Sequence, residues 1–254
     1  MATPTDLRLN GTVIRFDASI LTTAEPNLFD AEWLKANQFW RGSTQGRSSA
    51  HFFNYADRDM VLRHFHRGGL VGRVNQDLYL RTSAEKSRAL NEFDLLCEMR
   101  EEGLPVPRPV AARFVPSGLF YRADIITERI PDAEPLQDVL KDRSLPSQLW
   151  VDIGAAIKNL HAHKVYHSDL NCRNIMVDVQ DKVWFIDFDK CEKREPGDWM
   201  QSNIDRLLRS LKKTAATSQG LNWSDGDWQN LLKGYAGPKA HGPTSKQQAT
   251  NPPV

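Results

Sequence analysis

The chain has 254 residues, with 33 Lys+Arg against 32 Asp+Glu and a formal net charge of +1. That balance argues against nucleic acid as a partner, because its binders carry a strong basic excess. Hydrophobic residues make up 40% and charged residues 26%, ordinary globular usage that excludes wholesale disorder and lets a chain of this length bury a core in two modest lobes or one large domain.

In chain order, Thr12–Phe16 alternates weakly and Asp30–Asn37 fits a short helix. The small-residue stretch Arg41-Gly42-Ser43-Thr44-Gln45-Gly46-Arg47-Ser48-Ser49 precedes two strand-like runs, Ala50–Tyr55 and Met60–Phe65, joined by a turn at Ala56-Asp57-Arg58-Asp59. A second small-residue kink follows at Gly68-Gly69-Leu70-Val71-Gly72. Thr82–Arg100 is predicted as a helix opened by a Thr82/Glu85 capping box, with Ala89, Phe93, Leu96 and Met99 at helical spacing. Glu92 falls on that apolar face, an odd place for a carboxylate. The prolines of Gly103–Pro109 end the helix and impose an extended path. Strands are expected at Val110–Val115 and Phe120–Thr127, then a helix over Ser147–His163. Short strands at Val165–His167 and Val183–Asp187 flank a loop, and helices follow at Asn203–Lys213 and Asp225–Tyr235. The proline-rich tail, 237–254, has too little apolar content to order itself. The expected fold class is therefore α+β and two-lobed: a β-rich lobe with one main helix over 1–129, then a short, mostly helical lobe over 130–236. No apolar run approaches the ~20 residues that span a bilayer. The opening MATPTDLRLNG lacks the apolar stretch of a signal peptide. Cys97, Cys172 and Cys191 form no C-x-x-C pair and fit a reducing compartment better than a disulfide framework or zinc site. The expectation is a cytoplasmic protein whose membrane contact, if it has one, is made at its surface.

His167-Ser168-Asp169-Leu170-Asn171-Cys172-Arg173-Asn174 followed by Asp187-Phe188-Asp189 has the H-x-D-x-x-x-x-N and D-F-x spacing of protein-kinase-like catalytic and metal loops. Phosphoryl transfer needs one carboxylate near the attacking hydroxyl and oxygen ligands for the metal on the phosphates. Asp169 is the candidate catalytic residue; Asn174 and Asp187 are the candidates to hold Mg2+, with ATP as donor. Arg63 stands where this fold normally offers a lysine to the α- and β-phosphates, and strand alternation turns His64 to the other face. Glu92 is the helix carboxylate expected to hold Arg63. Either Gly42 and Gly46, or the Gly68–Gly72 stretch, can bring backbone N–H groups to the phosphates. Ile125–Arg129 fits the lobe-connecting hinge, whose backbone would bond an adenine ring. No G-x-x-x-x-G-K-[ST] motif is present, which excludes a P-loop kinase. Only about 15 residues separate Asp187 from the helix near Asn203, with no A-P-E. That is too little chain for a peptide-docking platform, so no protein substrate is expected. Arg206, Arg209, Lys212 and Lys213 leave a basic excess on the Asn203–Lys213 helix, which suits either an anionic membrane surface or a solvated face over a core helix.

His167–Asn171, Ile186–Cys191, Val61–His64 with Arg67–Gly72, and Gly103–Pro109 together resemble the bacterial 3-deoxy-D-manno-octulosonic acid (Kdo) kinases, which belong with the lipopolysaccharide core kinases of the protein-kinase-like superfamily. The likeness runs from about Phe39 to Tyr235. It implies ATP-dependent phosphorylation of the 4-hydroxyl of a lipid-linked Kdo (Kdo-lipid IVA), by a peripheral protein on the cytoplasmic face of the inner membrane. A kinase for another small hydroxyl acceptor, such as a core heptose or an aminoglycoside, and an inactive nucleotide-binding scaffold are the rival readings. Retention of Asp169, Asn174 and Asp187 together speaks against the scaffold.

Overall fold

The computed structural model describes residues 3–44, 50–65, 79–80, 82–217 and 220–237. The tail expectation for 237–254 therefore falls, beyond Gly237, outside the described residues, as do Gly46 and the Gly68–Gly72 stretch. The first half is built on one antiparallel sheet. Its strands are β1 (Pro4–Leu9), β2 (Thr12–Asp17), β3 (Trp40–Ser43), β4 (Ala50–Tyr55), β5 (Arg58–His64), β6 (Tyr79–Leu80), β7 (Pro109–Ser117) and β8 (Phe120–Glu128). They lie in the order β1-β2-β7-β8-β5-β4-β3, with β6 on β8. The β4–β5 turn puts Ala56 and Asp57 at φ 50° and 56°, the two left-handed residues that a tight hairpin matching strand twist requires.

Alternation sorts β5 between two cores. Met60 and Leu62 face outward with Ile14, Phe16, Leu28, Phe29 and Phe53, beneath a 3-10 turn at Pro26–Phe29 and helix α1 (Ala31–Ala36), which Asp30 caps. Phe65 faces inward with Ala123 and Ile125 against Ala89, Phe93 and Leu96 of helix α2 (Arg88–Glu101). The helix starts later than its capping box predicts. Ala84–Lys86 forms a separate 3-10 turn, Ser87 is extended and caps nothing, and Glu85 turns away to Arg8 of β1 at 3.0 Å. The Glu85 carboxylate that the box needed faces β1 instead.

From Ala133 the chain is mostly helical: β9 (Ala133–Pro135), α3 (Leu136–Asp142), α4 (Ser147–Ala162), β10 (Val165–Tyr166), β11 (Ile175–Asp178), β12 (Val183–Phe185), β13 (Glu192–Lys193), α5 (Trp199–Thr217) and α6 (Asp225–Ala236). β12-β11-β9 and β10-β13 form two small antiparallel sheets that fix the ends of the loops between them. Helices α4 and α6 touch backbone to backbone: a Cβ on Gly154 would meet Leu231 O, and one on Gly234 would meet Val151 O. The inward core is continuous from α2 through Trp150, Ile153 and Leu160 of α4 to Leu207 and Leu211 of α5. The α+β class with one main helix on the large sheet matches the expected protein-kinase-like architecture. Among the described residues no helix is long and apolar enough to cross a membrane.

Candidate active site

Arg63 leaves the inner face of β5 toward α2 and meets two carboxylates. Its guanidinium donates to Glu92 Oε1 through one nitrogen and to Asp187 Oδ1 at 2.5 Å through another. Glu92 is only 3% exposed. Its Oε1 also accepts the Phe188 N–H at 3.2 Å, while its Oε2 is buried with no hydrogen-bond partner. Burial pushes the Glu92 carboxyl up, and the Arg63 charge opposes that shift. Burial also works against the Arg63 charge, but Glu92 and Asp187 outweigh it and raise its pKa further. The expected Arg63–Glu92 contact is thus present, with Asp187 as a third member. His64, on the other face, meets Asp124, which also accepts from Arg113 at 2.7 Å.

Asp187 sits just past β12 at φ 64°. A left-handed non-glycine residue persists only where its surroundings over-determine it, and such residues concentrate at working sites. Here the ties lie on both sides. The buried His167 ring donates from Nε2 to Ile186 O at 3.1 Å, accepts the Asp169 N–H on Nδ1 at 3.2 Å, and packs 4.9 Å from the Phe188 ring. Both bonds call for the neutral ring, and burial lowers its pKa accordingly. His167 therefore ties the loop carrying Asp169 to the segment carrying Asp187. Asn174 continues that loop: its Nδ2 donates to Asp169 O at 2.9 Å, and its Oδ1 has no hydrogen-bond partner among the described residues. Asp169 and Asp187 line one cavity of about 510 Å³, together with Tyr166, Ser168, Asp189 and Lys190.

Several members of the site escaped the sequence reading. Arg206 of α5 donates to Asp169 Oδ1 at 2.9 Å, so the first cation of the basic helix faces the loop that carries Asp169. Asn203, one turn earlier, holds that loop through both backbone groups of His167. Arg88, at the start of α2, makes a two-pronged pair with Asp189, one prong at 2.6 Å, and its guanidinium lies 4.7 Å over the Tyr79 ring. Asp187-Phe188-Asp189 is thereby fastened to β5 and α2 by Arg63, Glu92 and Arg88. A motif search finds none of these ties, although an arginine opening a helix and a basic i, i+3 pattern on α5 were available as signals. The three cysteines are free thiols, and burial pushes Cys191 and Cys97 up to about 12, so neither is a ready thiolate.

Two expectations stand apart from this cluster. Gly42 lies in the edge strand β3, at φ 147°, with open space where a Cβ would be; its partner Gly46 is outside the described residues. The expected hinge is partly committed already: the Glu128 N–H goes to Arg108 O and the Arg129 N–H to Asp59 O, both at 2.8 Å. The connection from Phe188 to α5 ends at Asp198, shorter still than expected.

Residues 31–235 match the model of the Lipopolysaccharide kinase (Kdo/WaaP) family. Curated relatives named 3-deoxy-D-manno-octulosonic acid kinase align over most of their length. That of Vibrio parahaemolyticus is 42% identical over 221 residues, covering 87% of this chain and 92% of the relative. That of Actinobacillus succinogenes is 41% identical over 211 residues (78% and 88%), and that of Haemophilus influenzae 36% over 231 residues (88% and 95%). Among solved structures, the bifunctional kinase-methyltransferase WbdD superposes with a TM-score of 0.45 at 15% identity, covering 83% of this chain and 49% of that one. With a family match across both halves of the fold and relatives of this identity, the chain belongs to the Lipopolysaccharide kinase (Kdo/WaaP) family.

Proposed function

We propose that this chain transfers the γ-phosphoryl group of ATP to the 4-hydroxyl of a Kdo residue carried on a lipid A precursor, Kdo-lipid IVA. The kinase family implies ATP, and the relatives' names supply the sugar acid. The observation that carries the chemical half is the sharing of one cavity by Asp169 and Asp187, with Asn174 bonded to Asp169 and Arg63 to Asp187. In this reading Asp169 orients the acceptor hydroxyl and takes its proton late, as a loose transition state demands. Arg63, fixed by Glu92, steadies Asp187 and offers charge to the donor's phosphates. Asn174 and Asp187 would hold Mg2+. The donor set fits, since Asn174 Oδ1 and Asp187 Oδ2 have no protein partner among the described residues and both are hard oxygen atoms. When bound, the ion neutralises charge on the phosphates. Gly42, in β3, and Gly46, four positions on in the sequence, are the residues we assign to cover them, between a lobe of residues 1–129 and a lobe of residues 130–236. A lipid-linked acceptor places the working enzyme at the cytoplasmic face of the inner membrane, as a peripheral protein.

The test is ATP turnover by the purified chain with and without Kdo-lipid IVA, and the mass of the lipid product. Acceptor-dependent ADP release with one added phosphate is expected. Asp169→Asn should keep ATP affinity and lose about 10²–10⁴-fold in kcat, ~3–5 kcal/mol. Transfer to a core heptose or an aminoglycoside instead, ATP binding with no transfer at all, or wild-type turnover by Asp169→Asn each overturns part of this reading.

A further inference from the structure

Asp169 is also a wall of a second cavity, about 470 Å³, on the side facing α5. Arg206, Arg209 and Lys213 line it at helical spacing, and Arg173 completes the rim. Four cationic side chains thus face a space whose sole lining carboxylate is Asp169. The side chains of Arg209 and Lys213 have no carboxylate partner among the described residues, and the Arg173 guanidinium donates to the Gln137 side-chain oxygen at 2.8 Å. Arg8, Lys35, Arg58, Lys141, Lys164 and Lys193 each sit on a carboxylate. Other cations among the described residues, Lys190 and Lys212 included, lack such a partner too, but here Arg173, Arg209 and Lys213 gather with Arg206 around one space. Its volume is that of a small-ligand site, and Arg206 bridges from it to Asp169.

We propose that this cavity is the anion subsite of the acceptor: Arg173, Arg206, Arg209 and Lys213 hold the carboxylate of the sugar acid while one of its hydroxyls lies against Asp169. The proposal rests on the reading of the chain as a sugar-acid kinase and adds where the acid group is held. It also accounts for the basic face of α5, which would otherwise be a plain membrane-facing stripe. Lys190 and Arg194 border the other cavity, but Arg194 is committed to Glu192 and stacks 3.7 Å over Tyr166.

The test compares the full chain with Arg209→Ala/Lys213→Ala, and with Arg209→Lys/Lys213→Arg as the charge-keeping control. Loss of charge-assisted bonds to a carboxylate should raise the acceptor KM about 10- to 100-fold, leaving kcat and the ATP KM nearly unchanged. The control pair should restore most of the affinity. Carboxyl-reduced Kdo-lipid IVA should cost the native chain a similar factor and cost the Ala pair nothing further. An acceptor stripped of its lipid phosphates should leave the penalty of the Ala pair intact. An unchanged KM in the Ala pair overturns the proposal. So does a penalty that persists on the reduced acceptor but vanishes without lipid phosphates, which would make α5 a headgroup contact. Should the native chain transfer nothing to Kdo-lipid IVA, the functional reading fails, and the subsite is tested separately by NMR titration with free Kdo and with inorganic phosphate. Binding of Kdo weakened about tenfold in the Ala pair supports the subsite; equal binding overturns it.

Discussion

Replacing Arg63 by Met keeps the aliphatic stem and removes the guanidinium that two carboxylates share. Asp187 is 39% exposed and can turn to water, whereas Glu92 is 3% exposed. Its Oε2 already lacks a partner, so the Phe188 N–H would be the one donor left to a buried negative charge. Breaking a buried pair by deleting one member costs ~3–5 kcal/mol, a large share of the ~5–15 kcal/mol that holds a domain together. Adding Glu92→Gln removes the stranded charge yet keeps a carbonyl for the Phe188 N–H, and should recover about 2–3 kcal/mol of the loss. Arg63→Lys preserves charge, but a single ammonium lacks the fork that reaches both carboxylates; a loss of about 1–2 kcal/mol is expected. Urea unfolding of the full chain, followed by circular dichroism and extrapolated linearly, measures all four forms. Phosphoryl transfer should fall sharply in Arg63→Met and stay low in the stabilised double variant, because Asp187 has then lost its cation partner. The reasoning is refuted if Arg63→Met costs less than ~1 kcal/mol, or if Glu92→Gln recovers nothing in its background.

Two further predictions concern the helical half. Gly154→Ala drives a methyl into the Leu231 carbonyl of α6, so overpacking should cost at least ~1–3 kcal/mol in the same unfolding assay; a neutral substitution would mean that α4 and α6 can separate at little expense. His161 is buried between the Tyr235 hydroxyl, 2.7 Å away, and Asn203 Oδ1, 3.4 Å away, and burial lowers its pKa from 6.5 to about 4. The unfolded chain therefore takes up the proton first as pH falls. The stabilisation is complete above 6.5, is reduced by about 2 kcal/mol at pH 5, and by about 3 kcal/mol at pH 4. Unfolding curves from pH 7.5 to 5 should show this decline, and His161→Gln should flatten it by about 2 kcal/mol. His167, also lowered by burial, contributes with the same sign, so a slope that His161→Gln leaves untouched would assign the whole effect elsewhere.

Asp169, Asn174 and Asp187 could be singled out as candidates because phosphoryl transfer calls for such residues at fixed spacing on loops that strands terminate. Arg63 was legible because it stands where this fold offers a lysine to the phosphates, and Glu92 because it is a carboxylate on an apolar helix face; the two meet across 29 residues. Where burial leaves no pattern, the sequence is silent. β1 buries none of its residues, so it shows no alternation, and it exists because β2 offers it a free edge. α3 has seven residues, too few for a period to emerge. Thr82–Ser87 misled because its capping residues are chemically suitable, while in the fold Glu85 reaches Arg8, 77 positions away.

The ties that escaped detection share a cause. Arg206 reaches Asp169 across 37 residues and Arg88 reaches Asp189 across 101. Each is a cation on a helix face that looks solvated from its own neighbours, and local periodicity carries no information about what the other side of a cleft supplies. The Asp187-Phe188-Asp189 segment needs such remote ties because it is short, follows a three-residue strand and holds a left-handed residue, so its own backbone cannot define where its carboxylates point. Arg63, Glu92 and Arg88 define it from one side and His167 from the other. A site whose reacting groups lie on irregular segments is thus oriented by charges borne on regular ones. In this chain α2 and α5 serve that purpose: α2 holds the Asp187–Asp189 segment through Glu92 and Arg88, and α5 holds the Asp169 loop through Asn203 and Arg206.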